Sequence, residues 1–88
     1  MTRARVQVRG RVQGVFFRAE ARARAESLGV AGWIRNLPDG RVEAVFEGPP
    51  DDVLTMVNWA SVGPPRAEVR DIDIAVEEPT GESGFRVR

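Results

Sequence analysis

Residues 10–18 read Gly-Arg-Val-Gln-Gly-Val-Phe-Phe-Arg, GRVQGVFFR, a stretch that joins the end of a strand to the start of a helix. Upstream, Ala4, Val6, Val8 and Val12 alternate with Arg5, Gln7, Arg9 and Arg11, the period of two that marks a half-buried β-strand. The first strand is therefore expected to run to about Val12. Downstream, from Phe17 to Leu28, Ala, Arg and Glu predominate. Phe17, Ala21 and Leu28 recur there at helical spacing, and Gly29 supplies a C-terminal stop. Between strand and helix, Gly10 and Gly14 would let the backbone approach an anion closely, and the amides from Gln13 to Phe16 have no intrahelical acceptor. Free amides at a helix start, aided by the helix dipole, bind phosphate, and Arg18 would bring a planar fork of donors to the same point. The spacing predicts a loop that holds one small dianion.

The rest of the chain supplies the partners of this unit. Val30 to Asn36 and Arg41 to Gly48 read as two strands joined by Leu37-Pro38-Asp39-Gly40, where proline presets one turn dihedral and glycine accepts a left-handed one. Pro49 and Pro50 break the chain, Asp51 and Asp52 suit a helix start, and Val53, Met56, Val57 and Ala60 fall on one helical face before Gly63-Pro64-Pro65. In the next strand Ala67 and Val69 are out of phase with Ile72, Ile74 and Val76. A β-bulge near Arg70 and Asp71 is expected to keep both sets facing the core. Thr80 to Gly84 is a polar turn, and Phe85 with Val87 marks a short final edge strand.

The order βαββαβ plus a short extra C-terminal strand, combined with the right-handed crossover rule, predicts an α+β ferredoxin-like sandwich. Its antiparallel sheet carries both helices on one face, and the first and second strands run parallel with the third between them. Their C-terminal ends then share one edge of the sheet, which places the Gly10 to Arg18 loop near Asn36.

Composition narrows the chemistry. Eighty-eight residues make one domain, residues 1–88, that buries roughly 60–65% of the unfolded chain's surface. There is no cysteine and no histidine, which removes the disulfide framework, the thiolate nucleophile, the usual general base and the commonest zinc ligands. All 13 basic residues are arginine, so neither a Walker-type P-loop nor a side-chain Schiff base is possible. The formal charge is zero but unevenly spread: residues 1–24 hold seven arginines against Glu20 alone. No signal-peptide run or transmembrane span is visible, and a cytoplasmic monomer that does not meet membranes is the expectation.

GRVQGVFFR closely resembles the acylphosphatase signature G-x-V-Q-G-V-x-F-R. Gly32 to Gly48, GWIRNLPDGRVEAVFEG, resembles the second signature of that family, an aromatic, an asparagine and a D-G-x-V-E hairpin. The resemblance extends over the whole chain, and Ile34 is its one noted departure, standing where a smaller residue is more usual. It implies that Arg18 is the phosphate-binding arginine and that Asn36 orients the attacking water. The amides of Arg11, Val12, Gln13, Gly14, Val15 and Phe16 then form the phosphate-binding loop. The implied reaction, that of an acylphosphate phosphohydrolase, splits a small-molecule acyl phosphate into a carboxylate and inorganic phosphate, without metal or cofactor.

The residue chemistry is compatible with that reaction on its own terms. Phosphoryl transfer through a loose transition state needs positioning and charge stabilisation, and a carboxylate leaving group with a pKa of about 4 needs no general acid. Alkyl phosphate monoesters would be poor substrates, because an alkoxide needs protonation or a metal ion to depart. Two other function classes compete. A non-catalytic phosphate-binding regulatory module, or a domain like that of larger maturation proteins, would share the loop but not the water-orienting step. An RNA-binding module of the same fold is disfavoured because Gln7, Arg9 and Glu43 stand where stacking aromatics are needed, so no nucleic-acid partner is expected. Among the remaining residues, Gln13 is expected to brace the loop, and Phe16, Phe17, Trp33 and Trp59 to anchor the core. Arg5, Arg9 and Arg11 are expected to form a solvated strand face.

Overall fold

A computed structural model describes residues 1–88. The elements follow in the order β1 (Thr2–Arg11), α1 (Phe17–Leu28), β2 (Ala31–Asn36), β3 (Val42–Gly48), α2 (Pro50–Ala60), β4 (Glu68–Glu77) and β5 (Phe85–Val87). The sheet order is β4-β1-β3-β2-β5. β3 lies antiparallel to both β1 and β2, so those two run parallel to each other as the crossover rule requires.

β5 is parallel to β2, which makes the sheet mixed rather than wholly antiparallel. The cause lies in the connection before it. β4 ends at the edge of the sheet where β1 begins and β3 ends, and residues 78–84 cross that edge to reach the outer side of β2. Glu47, at the end of β3, accepts the backbone N–H groups of Thr80, Gly81 and Glu82 at 2.9, 2.9 and 2.7 Å. The buried Arg3 donates to Glu47, Glu77, Glu82 and the Thr80 hydroxyl. With the crossing strap held there, the chain can only enter β5 in the direction of β2.

The core lies between the sheet and the two helices. Phe46, Ile34, Met56, Val6, Val8 and Val42 are fully buried in it. Each such side chain contributes about 1.5–3 kcal/mol through burial. α1 packs on β2 and β5, and α2 on β1 and β3. α1 ends at Gly29 in the left-handed conformation, whose N–H reaches the carbonyls of Ala25 and Glu26.

The expected bulge is present. Arg9 faces Asp71 but Gly10 faces Val69, leaving Arg70 as the extra residue of β4. Its expected consequence holds only in part. Ala67, Val69 and Ile72 pack against the core, whereas Ile74 and Val76 are 53% and 77% exposed. They point to the helix side of the sheet, opposite Val6 and Ala4, but α2 lies over β1 and β3 and leaves the far end of β4 uncovered.

Gly10 also serves a purpose other than the expected one. A Cβ there would stand 2.0 Å from the Glu68 carbonyl oxygen, at a φ of 128°. The missing side chain lets β4 approach at the bulge.

The face of the sheet turned away from the helices is a layer of compensated charge. Arg5 pairs with Glu77 and Glu43, Arg9 with Asp71 and Asp73, and Arg11 with Glu68. The expected solvated arginine face is therefore neutralised by the acids of β3 and β4. Trp33 is buried on this side, outside the helix-side core, beneath the guanidinium groups of Arg5, Arg35 and Arg88, which lie 5.4, 5.3 and 4.5 Å from its ring. Trp59 lies against Phe17, centroids 5.1 Å apart, at the margin of the core.

Candidate active site

The edge of the sheet where β1 and β2 end carries the loop of residues 12–16 and the start of α1. The backbone amides from Gln13 to Ala19 donate to no protein acceptor, and the first amide of the helix to find one is that of Glu20, at 3.0 Å from the Phe16 carbonyl. The helix has no side-chain cap, and its capping position, Phe16, is left-handed at φ 66°. A run of unpaired amides beside a helix N-terminus is an anion-binding concavity with a positive dipole end.

The loop residues are placed differently from one another. Arg11 is the last residue of β1, opposite Glu68, so it stands at the threshold of the loop. Val12 and Val15 turn their side chains into the core and pin the loop to the body of the protein. Gly14 adopts φ 71° and is exposed. Gln13 is the brace it was expected to be: its Nε2 donates to the carbonyl oxygens of Leu37 and Arg41 at 2.9 and 3.0 Å. One side chain thus ties the loop to the two ends of the β2–β3 turn. Phe17 is buried as expected, but Phe16 is 66% exposed and anchors nothing. Its left-handed backbone turns the ring outward, away from the face that α1 buries.

Arg18 is half-buried in the first turn of α1, and its guanidinium has neither a carboxylate partner nor an aromatic ring beneath it. By contrast Arg3, Arg5, Arg35 and Arg41 are held by carboxylates, and Arg24 and Arg88 lie over tryptophans. A shielded arginine with all its donors free is a ready partner for a phosphoryl group.

Asn36 ends β2. The alternation Gly32, Ile34, Asn36 puts it on the helix-bearing face, directly before the residue whose carbonyl Gln13 binds. Its Oδ1 is buried and has no hydrogen-bond partner in the protein. Such an orphaned acceptor costs stability and is uncommon unless something else satisfies it. The hairpin that carries Asn36 is well fixed. Asp39 accepts the Arg41 amide at 3.1 Å and its guanidinium at 2.7 Å, and these contacts hold the Asp39 carboxyl below its usual range. Arg41 reaches on to Gln7, and Gln7 donates to Glu43 at 2.8 Å. Burial pushes the Glu43 carboxyl up, but the hydrogen bonds from Gln7 and Arg35 and the charges of Arg35 and Arg5 outweigh it and hold it low.

Beside the loop lies a cleft of about 480 Å³ whose charged lining residues are Arg18 and Arg22, with Phe16 and Val87 among its apolar ones. No carboxylate lines it. Val87 belongs to β5, and the Arg88 amide donates to the Ile34 carbonyl at 2.9 Å, so the C-terminal strand forms one side of the site.

The acylphosphatase family profile matches residues 4–87. The chain belongs to the acylphosphatase family. It is 58% identical to the acylphosphatase of Haloarcula marismortui over 99% of this chain and 96% of that one. Identity to the acylphosphatase of Rubrobacter xylanophilus is 59%, over 98% of this chain and 79% of the relative. The crystal structure of acylphosphatase from Bacillus subtilis superposes with a TM-score of 0.94 at 36% identity, over 100% and 99% of the two chains. Family membership and the ferredoxin-like fold thus agree with the resemblance carried by GRVQGVFFR and by Gly32 to Gly48. The residues missed by sequence reasoning are Arg22 and Val87, which the fold brings to the cleft. Arg22 is four positions after Arg18 and its place on that face was available from helical spacing.

Proposed function

We propose that the chain is an acylphosphate phosphohydrolase, acting as one domain over residues 1–88 and as a cytoplasmic monomer, and that Arg18 and Asn36 are its catalytic residues. Within the Arg11 to Phe16 loop, the free amides from Gln13 onward and the guanidinium of Arg18 hold the phosphoryl oxygens. A water molecule donates one O–H to Asn36 Oδ1, which turns its lone pair towards phosphorus on the side opposite the acyl oxygen. As the P–O bond to that oxygen breaks, its electron pair leaves on the carboxylate, and the water passes a proton to a phosphoryl oxygen. The products are a carboxylate and inorganic phosphate. No step requires a metal or cofactor, because the leaving carboxylate, with a pKa of about 4, departs as the stable anion.

The observation that carries this reading over phosphate binding without turnover is the buried, unpartnered Oδ1 of Asn36. A water-orienting group must keep an acceptor free of protein partners, and Asn36 Oδ1 has none. The test is hydrolysis of benzoyl phosphate beside p-nitrophenyl phosphate, with chelator present, for the wild type and Asn36→Ala. The wild type should hydrolyse the acyl phosphate and hardly touch the ester, and Asn36→Ala should lose about 100-fold or more in kcat while inorganic phosphate still inhibits. Phosphate binding by the wild type without acyl-phosphate turnover would assign the chain to the regulatory alternative.

A further inference from the structure

We propose that Arg22 is a specificity-determining residue that binds a second anionic group on the acyl moiety, so that the site favours acyl phosphates carrying a distal carboxylate or phosphate. This rests on the reading of the Arg18 loop as the phosphoryl site. Arg22 follows Arg18 by four positions on α1, which puts the two on one face of the helix about 6 Å apart along its axis. Both line the same cleft, together with Phe16 and Val87. The cleft therefore offers two cations and apolar lining, and the carboxylate nearest to them, Glu26, touches Arg22 without lining the cleft.

The existing contact of Arg22 leaves it available. Its Nε lies 3.4 Å from Glu26 Oε2, and its two terminal nitrogens meet no protein acceptor. Both partners are 54% exposed, and an exposed single-contact pair of this kind holds its side chains only weakly. A ligand carboxylate can take the free terminal nitrogens while Glu26 keeps Nε. The outward-facing ring of Phe16 would flank the carbon body that spans the two anions, which explains a large aromatic at a left-handed position where burial does not reward it.

The experiment compares benzoyl phosphate, para-carboxybenzoyl phosphate and para-carbamoylbenzoyl phosphate as substrates of the wild type, Arg22→Gln and Arg22→Lys. The carboxylate should lower KM about five- to tenfold relative to the carbamoyl compound in the wild type. Arg22→Gln should bring that ratio to about one with benzoyl phosphate turnover unchanged, and Arg22→Lys should retain part of it. A wild-type ratio of one, a ratio that survives in Arg22→Gln, or an equal loss on all three substrates overturns the proposal; the last would make Arg22 a general attractor of anions. Calorimetric binding of phenylphosphonate and its para-carboxy derivative to the same proteins reads the Arg22 contact without turnover. Failure of the hydrolase reading and failure of this one are therefore distinguishable.

Discussion

Gln13→Leu removes the one side chain that connects the phosphate loop to the hairpin bearing Asn36. Two hydrogen bonds are lost, to the carbonyls of Leu37 and Arg41. Neither oxygen is orphaned, because the Gly40 amide still donates to Leu37 at 3.1 Å and the Leu37 amide to Arg41 at 2.8 Å. The cost is thus two net hydrogen bonds without an added desolvation penalty, about 2 kcal/mol in all. In a chain of this size that lowers Tm by about 8–16 °C.

Catalysis should suffer separately from stability. The loop and Asn36 keep their own elements but lose their mutual register, and a misplacement on the order of 1 Å costs up to about 100-fold in rate. At a temperature where the variant is fully folded, kcat for benzoyl phosphate should fall about 10- to 100-fold, while inhibition by inorganic phosphate, which needs only the loop amides and Arg18, should change far less. Thermal melting by circular dichroism and steady-state kinetics read the two effects. A variant with wild-type Tm and kcat would refute the tie, and one that lost phosphate inhibition but kept kcat would refute the division of labour. Gln13→Glu sharpens the test: it sets carboxylate oxygens against two carbonyl oxygens, so it should be worse than leucine at neutral pH and improve on acidification as the carboxyl regains a donor.

Arg18→Ala should abolish both phosphate inhibition and turnover yet leave Tm almost unchanged, because the guanidinium has no protein partner to lose; a large drop in Tm would show a structural role instead. Gly32→Ala should cost more than about 3 kcal/mol by urea unfolding, since its Cβ would stand 1.9 Å from the Val45 carbonyl oxygen of the adjacent central strand, at φ 136°; a folded variant of near-native stability would contradict that geometry. Stability should fall as pH drops below the usual glutamate value of 4.5. Glu47 is held low chiefly by the Thr80 amide, then by those of Glu82 and Gly81 and by Arg3, and Glu77 by Arg5 and then Arg3. Groups with lowered folded-state pKa values stabilise the fold above the unfolded pKa and cease to do so on protonation. Glu47→Gln should flatten this acid limb, and an unchanged limb would place the acid sensitivity elsewhere.

Most features that depend on one element were legible in the sequence, and where several elements pack together only those governed by a chain-wide rule were. The GRVQGVFFR stretch announced its strand, loop and helix because each rests on local chemistry: alternation, glycine freedom, unpaired helix-start amides. The Pro38–Gly40 turn and the apolar face of α2 were legible for the same reason, and the crossover rule then sufficed to bring Asn36 to the loop. Ile74 and Val76 mark the limit. Alternation assigned them correctly to the helix side of the sheet, but it says nothing about where a helix ends laterally, and α2 stops short of β4. Trp33 marks it again: an aromatic in a strand signals burial, yet the cover here is three guanidinium groups from β1, β2 and the C-terminus, a partnership no local pattern encodes.

Phe16 shows the converse, a local rule that failed for a functional reason. An aromatic at a helix start ordinarily folds under the first turn as a hydrophobic anchor, and Phe17 does so. Phe16 does not: the chain enters the helix through it in the left-handed conformation, its ring is exposed, and the amides from Gln13 onward are left without protein acceptors, as the proposed anion site requires. The strain at Phe16, the missing helix cap, the uncompensated Arg18 and the orphaned Asn36 Oδ1 are each unfavourable by the rules that govern the rest of this small domain. They lie at one edge of one sheet, while the opposite edge, around Arg3 and Glu47, is saturated with hydrogen bonds. A fold that satisfies its polar groups so fully at one end and leaves them open at the other has gathered its unmet valences at the edge where the proposed reaction needs donors for a phosphoryl group and an acceptor for a water.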